Sequence, residues 1–527
     1  MHGRVKVRTS EEEKARKEKE RQEKLKVFKN VMQKIQNKRK LDELDNELLE
    51  LTGKMLLSNP DIYTLWNIRR DIIVIIRKNE SEQTLQKLYD DELNLTEYCL
   101  KTNPKSYGAW HQREWVLLNR PDPDWNKELI LCNTYLKLDE RNFHTWDYRR
   151  FVVSQCKPSK DEFEFTTEKL YENFSNYSAW HYRSKLLTEL YPDVKGGRPI
   201  QDSHHKHELK LVLNAAFTDP DDTSAWFYQR WLLGAVKNVT HPVVCTVSPS
   251  KTTVAFNQNV NKEFVKTKTK LYFNNILVYG DWYSCTKYQY DNLWILNHNV
   301  AVTQDLNVKV EYLADSGDTK VIKCEKYGPL QYVGKSGIRF QKDYSQPVVE
   351  ELKTQLESCR ELLAMEPDNK CTLLTTTVFL HCIDAKLYHE EVIANLHTLK
   401  HIDKLRSGYY DHLISKWSIE KQLTDDYNKN GLQLKIKFNE IIISLPHLQY
   451  YSYCHDVDLS NQSLSSKILP SLVMLAHCKI LSLENNKLTT LKGFPDLELD
   501  QLNLKSNALD KKEVDLLQKK CKYNILF

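Results

Sequence analysis

Glycine is scarce in this chain, with 14 in 527 residues, under half the usual share of about 7%. With 28% charged residues, the balance reads as helix-rich and water-facing. No apolar run approaches the ~20 residues of a membrane span, so none is expected. The opening residues, MHGRVKVRTSEEEKARKEKE, contain no apolar stretch of the kind a secretory signal needs. The 12 cysteines are scattered and form no C-x-x-C pair, so they read as reduced thiols of a cytoplasmic protein, not as a disulfide framework. The fourth residue from the end is Asn524 and not Cys, so the chain is not expected to be a C-a-a-X lipidation target. Lys+Arg number 76 and Asp+Glu 71, a near balance that excludes a global nucleic-acid footprint. Phosphate-loop, G-x-G-x-x-G and G-x-S-x-G sequences are missing as well.

What the chain does have is a repeat. Trp66, Trp110, Trp146, Trp180 and Trp226 are each followed three residues later by Arg69, Arg113, Arg149, Arg183 or Gln229, and then by an apolar pair. Three residues before each Trp stand Tyr63, Tyr107, Phe143, Tyr177 and Thr223. Offsets of −3, 0, +3 and +7 fall on one face of a helix. The tryptophans are spaced 44, 36, 34 and 46 residues apart, a length that fits one helical hairpin per repeat. Asn59-Pro60, Asn103-Pro104 and Asp219-Pro220 read as N-terminal caps of the Trp-bearing helices. A degraded sixth unit, with Leu373 in the Trp position, lies 147 residues beyond Trp226, so a module has been inserted.

The fold class is therefore multidomain and mainly α. A helical-hairpin superhelix fills 1–237 and resumes at 349–431, with a charged helix at its start that docks Leu25, Phe28, Met32 and Ile35. Residues 238–348 carry β-branched and aromatic runs broken by turn residues. They suggest six to eight strands in an immunoglobulin-like sandwich, with Cys285, Trp294 and Cys324 in a loosely fitting order. In 432–527, Leu481, Leu483, Asn486 and Leu488, then Leu502, Leu504, Asn507 and Leu509, fit a leucine-rich repeat.

A self-contained active site is not visible. His397 and His401 share a helical face but lack the Glu of a zinc-protease motif. One position breaks the pattern of the repeats. Lys105 follows Asn103-Pro104 where the matching residues are Asp61 and Asp221, and acidic side chains are what a helix N-terminus favours. Free N–H groups with a Lys⁺ beside them would bind phosphate. A surface lysine explains the same residue, and on spacing alone both readings stay open.

The Trp array with N-P-K-S-Y-G-A-W-H resembles the α subunits of protein prenyltransferases. The two added modules and the opening MHGRVKV narrow the likeness to the type II branch of that family. The resemblance implies a heterodimer whose β subunit holds the catalytic zinc and most of the isoprenoid pocket. It implies transfer of geranylgeranyl from geranylgeranyl diphosphate to C-terminal cysteines of Rab GTPases, presented by a Rab escort protein. Lys105 matches the lysine that reaches the diphosphate and would act catalytically on the leaving group, with Tyr107 beside it in substrate binding. The copies Phe143-His144-Thr145-Trp146 and Tyr177-Ser178-Ala179-Trp180 occupy the same helix-start position, so His144 and Tyr177 would line the same cleft. His2, on the charged arm, could reach the partner's zinc in an autoinhibitory contact. The competing class is a non-catalytic helical-repeat scaffold for protein interactions, in the manner of tetratricopeptide proteins, whose 34-residue signature is different.

Overall fold

The computed structural model describes residues 11–156, 160–193, 198–235, 239–298, 306–314, 317–327, 331–340, 342, 344–428 and 435–527. Two compact units divide the chain, Met1–Leu190 and Tyr191–Phe527. Among the described residues no helix is long and apolar enough to cross a membrane.

The first unit is all helix: α1 (Glu11–Lys40), α2 (Asn46–Ser58), α3 (Tyr63–Asn79), α4 (Glu82–Thr102), α5 (Tyr107–Asn119), α6 (Trp125–Leu138), α7 (Phe143–Cys156), α8 (Lys160–Glu172) and α9 (Tyr177–Leu190). Helix α1 buries Ile35 but leaves Leu25 and Phe28 exposed, so the docked stripe is confined to its last turns. The odd-numbered helices α3 to α9 carry the tryptophans, all buried. In α3, α5 and α7 the arginine one turn on reaches the following hairpin. Arg113 binds Glu128 through two bonds of 2.6 and 2.7 Å, and Arg149 binds Glu162 at 2.6 and 2.8 Å. Arg69 meets Glu92 at 2.6 Å. The same guanidinium also satisfies the preceding helix: Arg113 Nη1 donates to the Leu93 carbonyl at 2.8 Å and to Thr96 Oγ1 at 3.1 Å. A planar fork can bridge three helices in this way where an ammonium could not.

The second unit opens with another pair, α10 (Asp202–Thr218) and α11 (Thr223–Gly234), which holds Trp226. Then come β1 (Pro242–Val247), β2 (Lys251–Asn261), a short α12 (Lys262–Lys268), β3 (Thr269–Phe273), β4 (Ile276–Leu277), β5 (Trp282–Ser284), β6 (Tyr290–Asn297), β7 (Val308–Leu313), β8 (Thr319–Lys326) and β9 (Tyr332–Lys335). They form a curled antiparallel sheet in the order β4-β3-β7-β8-β9-β1-β2-β6-β5. Its two ends close over one core, in which Cys245, Val254, Phe256 and Trp294 meet Leu271, Val308, Val310 and Cys324. Cys245 lies opposite Gly334, and a Cβ at Gly334 would lie 2.8 Å from Cys324 Sγ. Of the loosely fitting Cys285, Trp294 and Cys324, the last two line this core and Cys285 lies outside it, with its Sγ 3.6 Å from Met474 Sδ. Strand alternation decides the difference, since Cys245 points inward with Val247 while Cys285 follows the end of β5. All 12 cysteines are free thiols.

Helices α13 (Gln346–Met365), α14 (Lys370–Asp384), α15 (His389–Ile402) and α16 (Ser407–Asn428) resume the stack, α13 on α10 and α14 on α11. Gln229, which stands where the other repeats have Arg, donates to Gln355 of α13 at 3.0 Å. An amide pair thus replaces the guanidinium–carboxylate pair across the inserted module. The chain ends in short parallel strands, β10 (Lys435–Lys437), β11 (Asp456–Asp458), β12 (Ile480–Ser482), β13 (Gln501–Asn503) and, after α17 (Lys511–Lys520), β14 (Asn524–Leu526). Asn486 and Asn507 are the pins of this ladder. Their amides donate to the Leu459 and Leu483 carbonyls of the preceding turns, both at 2.8 Å. The leucines between them, with Val243, Ala255 and Leu293 of the β module, form one continuous core.

Candidate functional site

Each turn that precedes a Trp-bearing helix is built the same way. It begins with Asn59, Asn103, Asp139, Asn173 or Asp219, seven residues before the Trp. That side chain accepts the backbone N–H two residues on, at 3.1, 3.1, 3.1, 2.9 and 3.2 Å. The expected helix caps are corrected here. Asn103 ends α4, its N–H bonded to the Cys99 carbonyl at 2.8 Å, and Ser106 is the residue that caps α5. Lys105 therefore sits in the turn before the helix and not in its first turn. Asn and Asp serve both helix ends, and a following Pro marks a stop as readily as a start.

The turn is then locked from two sides. The indole Nε1 of each Trp donates to the carbonyl six residues earlier: Trp66 to Pro60 at 2.8 Å, Trp110 to Pro104 at 2.9 Å, Trp146 to Glu140 at 2.8 Å, Trp180 to Phe174 at 2.8 Å and Trp226 to Pro220 at 2.9 Å. In the first unit the next repeat adds a second donor. Ser106 Oγ reaches the Pro60 carbonyl at 3.2 Å, Asn142 Nδ2 reaches Pro104 at 3.1 Å and Asn176 Nδ2 reaches Glu140 at 3.0 Å. Gly108 is required by this packing, because a Cβ there would lie 2.7 Å from the Trp66 Nε1 atom.

Lys105 projects from that fixed turn. Its side chain is 63% exposed, and its Nζ lies 3.4 Å from Asp139 Oδ2, itself 41% exposed. A pair this wet holds the ammonium loosely. Tyr107, two residues on, packs edge-on against His144, ring centroids 4.3 Å apart at 83°. His144 is buried, and its imidazole is pushed below the usual histidine range by that burial, with Lys105 acting in the same direction against Asp147 and Asp61. Lys105, Tyr107 and His144 are thus one group, with a neutral ring backing the tyrosine. Tyr177 holds the corresponding place two repeats on, stacked on His181 with centroids 6.2 Å apart. His2 lies outside the described residues.

The position three before the Trp shares the helix face of the Trp but not its burial. Tyr63, Tyr107, Phe143 and Tyr177 are 53 to 58% exposed. They are the first residues of their helices, where the chain has not yet reached the core. Two partners escaped sequence reasoning. Asp139 is the counter-ion of Lys105, and Arg141 occupies the Lys105 place in the next turn. Alignment on Asx at −7, in place of Asn-Pro, brings out both. Among the described residues no group of His, Cys, Asp and Glu converges as a metal site. The chemistry this surface supports is neutralisation of an anion beside a row of aromatic rings.

The protein prenyltransferase alpha subunit repeat is matched at residues 45–75, 89–120, 125–156, 159–190 and 205–236. The chain is 36% identical to the geranylgeranyl transferase type-2 subunit alpha of Sus scrofa, over 98% of this chain and 93% of that one. The same holds for the Homo sapiens protein of that name, at 36% over the same shares. The Saccharomyces cerevisiae protein of that name is 30% identical over 63% of this chain and 96% of its own. Part of this chain therefore has no counterpart in the yeast protein. A solved structure of Candida albicans protein geranylgeranyltransferase-I complexed with GGPP aligns at a TM-score of 0.42 and 17% identity, over 74% of this chain and 91% of that one, too distant a likeness to build on.

Proposed function

The chain belongs to the α subunits of type-2 geranylgeranyl transferases, within the protein prenyltransferase α-subunit family, and from that membership we propose how its own residues serve the reaction. It pairs with a β subunit that carries the catalytic zinc and most of the isoprenoid pocket. Together they move the geranylgeranyl group of geranylgeranyl diphosphate to C-terminal cysteines of Rab GTPases presented by an escort protein in the cytoplasm.

Lys105 meets the diphosphate. As the carbon–oxygen bond to the isoprenoid breaks, negative charge gathers on the leaving diphosphate, and the ammonium stabilises it. A preorganised donor of this kind contributes roughly 2.7–4 kcal/mol in other enzymes. Asp139 keeps the ammonium in place beforehand and gives way to a more highly charged anion. Tyr107, backed by His144, stands beside the diphosphate, and Tyr177 extends the same aromatic edge. His2 reaches the partner's zinc when no acceptor is bound. The observation that carries this reading is the double lock on the Pro104 carbonyl. It fixes the backbone next to Lys105 while its charge stays in water.

Of the two added modules, we read 238–348 as an immunoglobulin-like sandwich and 432–527 as leucine-rich repeats, set around an array at 1–237 and 349–431. A sheet closed over one core supports the first, and the pinned asparagine ladder supports the second. Co-expression with candidate β chains, followed by a lipid-transfer assay on Rab acceptors with and without escort protein, tests the function. Transfer that requires both partners is expected. A stable chain that binds no β partner and supports no transfer would overturn it.

A further inference from the structure

A cavity of about 390 Å³ opens where the segment leading out of β9 crosses α14 and α16. One wall is apolar, made by Ile338, Phe340, Val349, Ile383 and Trp417. His381 stacks on the Trp417 ring with centroids 4.2 Å apart at 20°. Burial holds that imidazole down to about 4 despite the opposing charge of Glu420, so it is neutral at pH 7 and adds a flat, uncharged surface.

The polar lining has one sign in excess. Arg339, Lys342, Lys386 and Lys421 stand against Glu420 and Asp425. Both carboxylates are engaged: Glu420 with His447 Nε2 at 2.9 Å, and Asp425 with Lys386 at 3.2 Å. Lys421 turns to Glu390 and Glu440, at 3.3 and 3.6 Å. Lys342 is different. Among the described residues its Nζ donates to one neutral acceptor, the Leu233 carbonyl at 2.8 Å, and the group has three N–H bonds. Burial also pushes its ammonium below the usual lysine range. A partly desolvated cation beside an apolar wall is complementary to an anionic head on an apolar body.

We propose that this cavity binds a small amphipathic anion, its carboxylate or phosphate head at Lys342 and its apolar body against Trp417, Phe340 and Ile338. A cationic amphiphile would meet the excess of positive side chains there. A bare anion would leave the apolar wall wet, and a neutral hydrocarbon would leave Lys342 without an acceptor for its remaining donors. Nothing in this cavity depends on Lys105.

Isothermal titration of the full-length chain with dodecanoate, dodecyl phosphate, dodecyltrimethylammonium and inorganic phosphate, all below micelle formation, tests it. One equivalent of dodecanoate or dodecyl phosphate is expected to bind, and the tighter of the two identifies the head. Binding should weaken at least tenfold in Lys342→Met and vanish in Ala385→Trp, which fills the cavity, while circular dichroism stays unchanged. If those variants fail to fold, the wild-type comparison of anion with cation still decides. Absence of saturable anion binding, equal binding of the ammonium, or anion binding indifferent to both substitutions would overturn the proposal.

Discussion

The indole of Trp110 donates to the carbonyl of Pro104 at 2.9 Å, and Asn142 from the next hairpin donates to the same oxygen at 3.1 Å. Both bonds bear on the residue next to Lys105. Trp110→Phe keeps most of the apolar volume and removes one donor. Because Asn142 still satisfies the carbonyl, the expected cost is about 1 kcal/mol. Trp110→Phe with Asn142→Leu leaves a half-buried carbonyl without either donor and should cost roughly 2–3 kcal/mol, more than the separate costs added. Urea midpoints of the two single variants and the double variant measure the coupling.

Gln229 and Gln355 show that the fold tolerates a neutral pair where the other repeats use charge. The buried Arg113–Glu128 pair, at 2.6 Å, should therefore respond as a unit. Arg113→Gln or Glu128→Gln alone strands a buried charge and should cost about 3–5 kcal/mol. The double Gln variant should be more stable than either single one. A double-mutant cycle read by chemical denaturation checks this.

Gly108→Ala tests the close approach of neighbouring turns. The new Cβ would lie 2.7 Å from Trp66 Nε1 and 3.0 Å from the Pro60 carbonyl. The Pro60 oxygen is backbone, and the indole is tied to it. A loss of about 1–3 kcal/mol is expected, although Ala is otherwise the better helix residue. Thermal melting reads it directly.

Acid should weaken the second unit through three groups of one sign. His381 and His477 are held by burial down to about 4 and about 3. The unfolded chain takes up protons near pH 6.5 that these native sites refuse, so stability falls as pH drops below 6.5. The His389 ring, with Ser418, holds Glu440 down to about 2. Its contribution is present above the ordinary glutamate range and is lost as pH falls through that range towards 2. Between pH 6 and 5 each histidine contributes a slope approaching ~1.4 kcal/mol per pH unit. His381→Phe keeps the stack on Trp417 and should flatten the urea-midpoint profile there. An unchanged profile would remove His381 from the account.

The repeat was legible because Trp, Arg and the apolar pair are helix-face residues, and their spacing survives in the sequence. The ends of the helices were less legible. Asn103-Pro104 read as a start because Asx residues favour both helix ends, and only the bond from Asn103 to the Cys99 carbonyl distinguishes them. Exposure of Tyr107 and its neighbours was missed because periodicity ignores that a helix's first residue stands outside the core. Asp139 and Arg141 were missed because Asn-Pro or Asp-Pro, present in three of five turns, served as the guide. In the β module, composition gave strands but not which face each cysteine takes. Lys105 stood out by charge alone, and neither its counter-ion nor the double lock on its turn is written in local sequence.

The central claim is that Lys105 stabilises charge on a leaving diphosphate. The direct test is the single-turnover rate of geranylgeranyl transfer, measured by rapid quench with the αβ complex carrying Lys105→Ala. The rate should fall at least tenfold, a loss of about 1.4 kcal/mol or more, while complex formation and acceptor affinity stay the same. A rate equal to wild type, with the complex intact, would contradict the account.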